Sequence, residues 1–212
     1  ALSVIAITEK NNLFHAPETY MEKISSKVNE TGVIDLDFTV KKNINNLSDY
    51  LNKNPEKLTA CILDRPRHKK IVDELKKLKV KLKFITDGDV SGALLVANEK
   101  HNVDIFLGTG GGPEGVLAAT GLDAFNCGFQ GRFLFRTDKD KLRAKKMGID
   151  DLTKKYELNE IVSGDSIFCA TGITSGDLVS GIIKEGSVFI SETLVTHKSS
   201  NTKKILKLKK KI

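Results

Sequence analysis

The 212-residue sequence predicts an α/β fold, a mostly parallel sheet with helices packed on its faces. Three observations lead there. Between residues 57 and 147, apolar runs of strand length alternate with stretches of helical period at short spacing. The composition, 40% hydrophobic and 29% charged, is that of a globular chain long enough for one full core. No run approaches the ~20 apolar residues of a membrane-crossing helix. The apolar start, ALSVIAITEK, has no basic flank, so it reads as a strand and not as a signal peptide.

The elements follow in order. The chain starts without methionine and in mid-pattern, so residues are expected upstream of Ala1. A strand-helix unit is expected over 2–28 and a polar helix near 45–53. KLTACIL (57–63) is strand-like, and PRHKKIVDELKKLK (66–79) sets Ile71, Leu75 and Leu78 on one helical stripe. VKLKFIT (80–86) alternates as a strand, and DVSGALLVANEK (89–100) is helical. NVDIFLG (102–108) is a strand and PEGVLAATGLDAF (113–125) a helix. FQGRFLFR (129–136) and DKDKLRAKKM (138–147) complete the series as strand and helix. This order favours parallel strands joined by right-handed crossovers. Further strands are expected near 166–171, 187–190 and 192–197. No repeat or low-complexity linker divides the chain, so residues 1–200 read as one domain and 201–212 as a lysine-rich tail.

The net charge of +7 is localised: six lysines lie in the tail, and without it the charge falls to +1. A near-neutral body with 6% aromatic residues and no tryptophan argues against a nucleic-acid partner. The tail reads as a solvated terminus. Cys61, Cys127 and Cys169 form no C-x-x-C pair, which argues against a zinc ribbon and suits a reducing cytoplasm.

Ligands of open α/β sheets bind beyond the carboxyl ends of the strands. Three successive strands here are followed by Asp64-Arg65-Pro66-Arg67-His68, by Asp87-Gly88-Asp89, and by the loop of LGTGGGPEGV (107–116) with Glu114. Singly, each reads as helix caps and surface charge. Together at one rim they favour a site. Arginine forks and glycine backbone at a helix start take phosphate. Carboxylates repel phosphate unless a hard divalent cation lies between. The residues alone thus predict a phosphorylated small molecule with a divalent metal, the aspartates and Glu114 on the metal side. Gly110 to Gly115 also match the dinucleotide fingerprint G-x-G-x-x-G. Glu114 would face a pyrophosphate there, and Arg136 follows FQGRFLF where a ribose-binding carboxylate belongs. No Lys-Ser/Thr follows the glycines, so a Walker A loop is excluded.

HAPETYMEK (15–23), LDRPRH (63–68), DGDVSGA (87–93), GTGGGPEGV (108–116), FQGR (129–132), MGIDDL (147–152) and ATGITSGDL (170–178) stand in order along the chain. In these motifs and their spacing, the sequence resembles the class II (GlpX-type) fructose-1,6-bisphosphatases, to about Lys204. The resemblance implies a layered α/β sandwich of the sugar and inositol phosphatase type. It implies manganese- or magnesium-dependent hydrolysis of the 1-phosphate of fructose 1,6-bisphosphate in gluconeogenesis, by a cytoplasmic enzyme that is a homo-oligomer when full length. Tyr20, Arg65, Pro66, Arg67, Asp87, Gly88, Asp89 and Gly111 are implied to contact substrate, which moves both aspartates from metal to sugar. Glu114 is implied as a metal ligand.

One departure is large. The family's other metal-binding carboxylates, and a D-P-[I/L]-[D/E]-G-T segment that handles the attacking water, have no counterpart in these residues. The expectation is therefore a C-terminal substrate-binding portion, with the catalytic residues upstream and little activity of its own. The alternatives are a non-catalytic sugar-phosphate-binding module and a dual fructose/sedoheptulose bisphosphatase. A portion of this kind is also expected to expose an apolar patch or an unpaired strand edge.

Overall fold

The computed structural model describes residues 1–86 and 88–211. Its elements are β1 (Leu2–Thr8), β2 (Tyr20–Ser26), α1 (Val40–Leu51), β3 (Thr59–Leu63), α2 (Lys69–Lys77), β4 (Lys81–Ile85), α3 (Asp89–Leu94), β5 (Ile105–Gly111), α4 (Gly112–Asp123), β6 (Gly128–Leu134), α5 (Asp138–Lys146), β7 (Lys155–Glu157), α6 (Leu158–Ile161), β8 (Ser166–Gly172), β9 (Ile183–Glu185), β10 (Val188–His197) and β11 (Thr202–Lys211).

They build two sheets. A six-stranded sheet has the order β4-β3-β5-β2-β6-β7, and a five-stranded one runs β1-β8-β10-β11 with β9 on β10. Helices α1 and α2 cover one face of the larger sheet, where Leu47 and Leu75 meet Ile24, Ala60, Ile105 and Leu107. Helices α3 and α4 fill the space between the sheets, packing Leu94 and Leu122 with Phe106 on one side and Phe168 and Ala170 on the other. The result is four layers. Buried residues surround most of α4, as an inner helix requires.

The parallel expectation holds only in part. β3 pairs β4 and β5 in parallel, but β2 pairs both β5 and β6 antiparallel, and β7 pairs β6 antiparallel. The five-stranded sheet is antiparallel throughout. The sheets are therefore mixed and antiparallel, not mostly parallel. The reason is β2. The later part of the 2–28 unit, expected as a strand followed by a helix, supplies a second strand inserted between β5 and β6. Met21 and Ile24 have helical spacing, yet here they point to opposite faces, and both are fully buried. A central strand covered on both faces loses its two-residue alternation, so its pattern is ambiguous. β3, β4, β5 and β6 still run the same way, so their carboxyl ends share one rim.

Smaller differences are local. The polar helix starts earlier than expected because Thr39 caps it, accepting from the Lys42 N–H at 3.1 Å. β5 extends through the glycines to Gly111, and α3 ends at Leu94 before two 3-10 turns. The lysine-rich segment is exposed, as its composition requires, but ten of its residues pair along β10 as an edge strand. Lysines there discourage further pairing. The outer face of the five-stranded sheet carries Ile5 and Ile7, each about half exposed at 53% and 51%. No helix among the described residues is long and apolar enough to cross a membrane.

Phe168 is fully buried and packs against Gly121 of α4, so it ties the smaller sheet to the inner helices. Phe168→Ala is expected to cost ~3–5 kcal/mol, read as a lower urea midpoint at unchanged slope.

Candidate functional site

The rim is levelled by hydrogen bonding. Tyr20, at the start of β2, stands opposite Gly111 of β5 on one side and Leu134 of β6 on the other. Thr19 Oγ1 donates to the Leu134 carbonyl at 2.6 Å, and the Gly112 N–H donates to the Thr19 carbonyl at 2.7 Å. Three strand ends and the start of α4 are thereby fixed at one height.

Glycines at this rim make room for charged groups. A Cβ on Gly110 would fall within the Asp89 carboxylate, one on Gly111 within that of Glu114, and one on Gly115 against Met21 and Lys23. Lys23, 1% exposed, lies at the centre. Its Nζ donates to Asp89 Oδ2, and to the Gly111 carbonyl at 2.6 Å. Burial pushes its pKa down, and Asp89 opposes this by favouring the ammonium. Glu114, in the first turn of α4, is exposed and has no cationic group within 4.0 Å among the described residues. It lines two cavities of about 760 Å³ each. Gly88 and Asp89 line one, and Tyr20 and Gly111 the other.

The β3–α2 loop is bolted to β5. His68 is buried, its Nε2 accepting from the Thr109 N–H at 2.9 Å and its Nδ1 2.7 Å from the Leu63 carbonyl. That pattern assigns the ring proton to Nδ1, as a donor to Leu63. Burial lowers the His68 pKa, and the nearby Arg67 charge adds to the effect. Arg67 donates from Nε and Nη2 to the Thr109 carbonyl at 3.0 and 2.6 Å. Both backbone groups of Thr109 are thus held from one loop.

The sequence-predicted residues divide accordingly. Tyr20, Gly88, Asp89, Gly111 and Glu114 come together around the two cavities, and Arg67 lies 5.3 Å from the Tyr20 ring centroid. Gly88, at φ +81°, takes the left-handed conformation that starts α3. Asp89 is engaged by Lys23, and Arg67 by backbone. Arg65 donates to the adjacent Asp64 carbonyl at 2.9 Å, and Pro66 begins the short turn before α2. Neither lines these two cavities. Asp87 lies outside the described residues. Sequence reading passed over Lys23, although TYMEK was in view, because a lysine in a segment read as a surface helix is expected to face solvent. It passed over the bolting role of His68 because nothing local marks a partner 41 residues away.

The whole chain follows the same family pattern. Residues 1–210 match the model of the bacterial, glpX-encoded fructose-1,6-bisphosphatases. The chain belongs to that family. It is 36% identical to fructose-1,6-bisphosphatase 1 class 2 of Escherichia coli (strain K12), over 95% of this chain and 64% of that protein. It is 33% identical to the D-fructose 1,6-bisphosphatase class 2/sedoheptulose 1,7-bisphosphatase of Synechococcus sp. (strain JA-3-3Ab), over 95% of this chain and 62% of that protein. The chain therefore spans a little under two thirds of the length of these relatives.

Hard divalent ions take six or more oxygen ligands, fixed protein oxygens among them, with waters and substrate phosphates completing the shell. Among the described residues no three His, Cys, Asp or Glu side chains are grouped to hold a metal. Asp89 is already paired with Lys23, which leaves Glu114 as the one carboxylate without an ion pair among the described residues of the predicted site. The described residues alone do not fit a complete cation site.

Two expected outcomes follow from these contacts. Lys23→Met leaves Asp89 buried without its counter-charge and should lower unfolding free energy by ~3–5 kcal/mol in urea titrations. His68 has a folded-state pKa below the ordinary histidine value of about 6.5. The unfolded chain then binds the proton more readily, so stability holds above about pH 6.5 and declines as pH falls below it. Comparing urea midpoints of the wild type and His68→Gln between pH 7.5 and 5.5 checks this. The variant should lack the histidine's share of the decline.

Proposed function

We propose that this chain is the substrate-binding portion of a phosphoric monoester hydrolase acting on sugar bisphosphates. The reaction is removal of the 1-phosphate of fructose 1,6-bisphosphate to give fructose 6-phosphate, the step used in gluconeogenesis. The observation that carries the reading is the shared rim: the start of β2, the end of β5 and the start of α4 bring Tyr20, Gly111 and Glu114 around one pair of cavities, with the Arg67 guanidinium 5.3 Å from the Tyr20 ring centroid. The names of the relatives supply the substrate class. On this reading, backbone at Gly111 and the ring of Tyr20 position the sugar phosphate. The arginine charge anchors one end, and binding energy from that end orients the reacting one. Glu114 would supply one ligand to manganese or magnesium, which would contribute charge neutralisation at phosphate and activation of water. The remaining ligands and the catalytic residues come from outside the described residues.

A cytoplasmic setting is supported by three unpaired cysteines, of which Cys61 and Cys127 have thiols pushed up to about 12 by burial. A second reading, a sugar-phosphate-binding module without catalysis, is favoured by the lone Glu114. A dual fructose/sedoheptulose preference is favoured by the name of the cyanobacterial relative.

Calorimetric titration of the 212-residue chain separates these readings. Fructose 1,6-bisphosphate is expected to bind weakly, with little or no phosphate released in the presence of manganese. Comparable heat from sedoheptulose 1,7-bisphosphate supports dual preference. Absence of binding to either sugar would sink the proposal, and rapid manganese-dependent phosphate release would refute the view that catalysis needs further residues.

A further inference from the structure

The insertion of β2 between β5 and β6 has a consequence for the rim. Leu134, Tyr20 and Gly111 stand level across three strands, so the residues just past β6 emerge beside the residues just past β5. Arg136 is two residues beyond Leu134. Its guanidinium carbon lies 4.4 Å from the Tyr20 ring centroid, closer than that of Arg67 at 5.3 Å. Arg136 lines the same 760 Å³ cavity as Thr19, Tyr20, Gly111 and Glu114.

The state of its charge is what distinguishes it. Arg67 directs Nε and Nη2 to the Thr109 carbonyl. Arg65 donates to its neighbour's carbonyl and lines neither cavity. Lys23 is committed to Asp89 and Gly111. Two other carboxylates at the cavity are engaged elsewhere. Asp140 caps α5 through the Thr137 N–H at 3.1 Å and lies 3.4 Å from Arg143, and Glu18 lies 3.7 Å from Arg143. Among the described residues, no carboxylate lies within 4.0 Å of the Arg136 guanidinium. Arg136 is therefore a planar fork, stacked on an aromatic ring, facing a cavity with no anion paired to it. Stacking on Tyr20 restrains the fork without using its N–H groups, which is the arrangement that suits bidentate phosphate recognition.

We propose that Arg136 is a phosphate-binding, specificity-determining residue of this site, holding one of the two phosphates of a sugar bisphosphate against the Tyr20 side of the rim. The inference rests on the sugar-bisphosphate reading given above. It assigns to the end of β6 an anchoring role that the sequence pattern placed wholly in the β3–α2 loop.

The test is titration of the full 212-residue chain with fructose 1,6-bisphosphate, fructose 1-phosphate and fructose 6-phosphate. Wild type, Arg136→Gln, Arg136→Lys and Arg143→Gln are compared, the last as a control for nearby charge. Arg136→Gln should weaken the bisphosphate by about tenfold or more, since a charged hydrogen-bonding fork is lost. It should also weaken one monophosphate strongly and the other little, with Arg136→Lys intermediate and Arg143→Gln near wild type. Wild-type affinity in Arg136→Gln overturns the inference, as does equal loss for both monophosphates or an equal loss in Arg143→Gln. Absence of binding by the wild type overturns the sugar-phosphate reading and this inference with it. Wild-type binding that Arg136→Gln leaves intact overturns this inference alone.

Discussion

β2 is hydrogen-bonded along both of its edges, to β5 and to β6, and the geometry of the site depends on that double pairing. Because β2 runs against both neighbours, β5 and β6 run with each other, and their carboxyl ends fall on one rim. Because it is central, both of its faces are buried, which forces Lys23 into the interior between the sheet and α4. A buried ammonium is tolerated only with counter-charge and hydrogen bonds. Asp89 and the Gly111 carbonyl provide them, and in doing so they join the start of α3, the end of β5 and the centre of β2. Strand insertion and site assembly are thus one constraint.

The glycines answer to the same constraint. In a strand, glycine weakens packing unless something must come close to the backbone. At Gly110 and Gly111 that something is a carboxylate, and at Gly115 it is the stem of Lys23 beside Met21. The run that matches a dinucleotide fingerprint in sequence is occupied by side chains of its own protein, two of them acidic. Glu114 sits in the first turn of α4, at the positive end of the helix dipole.

Much of the fold was legible. The alternation from KLTACIL to DKDKLRAKKM located four strands of common direction and the helices after them, because half-covered helices keep their period. β2 was not legible: Met21 and Ile24 fit a helix, and only tertiary pairing with β5 and β6 makes the segment a strand. For the site, the strand-end rule brought out Gly88, Asp89, Gly111 and Glu114, since such loops follow strands visibly. Arg136 also follows a strand, but its place on the rim depends on the position of β2. Lys23 was hidden for the opposite reason, an ionic side chain at a position that only the layered packing buries.

The two cavities meet at Glu114, and their charges differ in a way that orders a ligand. Toward Tyr20 lie two guanidinium groups within 5.3 Å of its ring centroid, surroundings that attract phosphate directly. Toward Asp89 lie the carboxylates of Asp89 and Glu114, and Lys23, which pairs with Asp89, is buried. A phosphate can approach that side only behind a cation that offsets Glu114. On the proposed reading, a bisphosphate would meet two ends with opposite requirements, an arginine end suited to an anion and a carboxylate end where an anion would need a cation beside it. On that reading the asymmetry would orient a substrate with two similar phosphates, with the reacting phosphate toward Glu114.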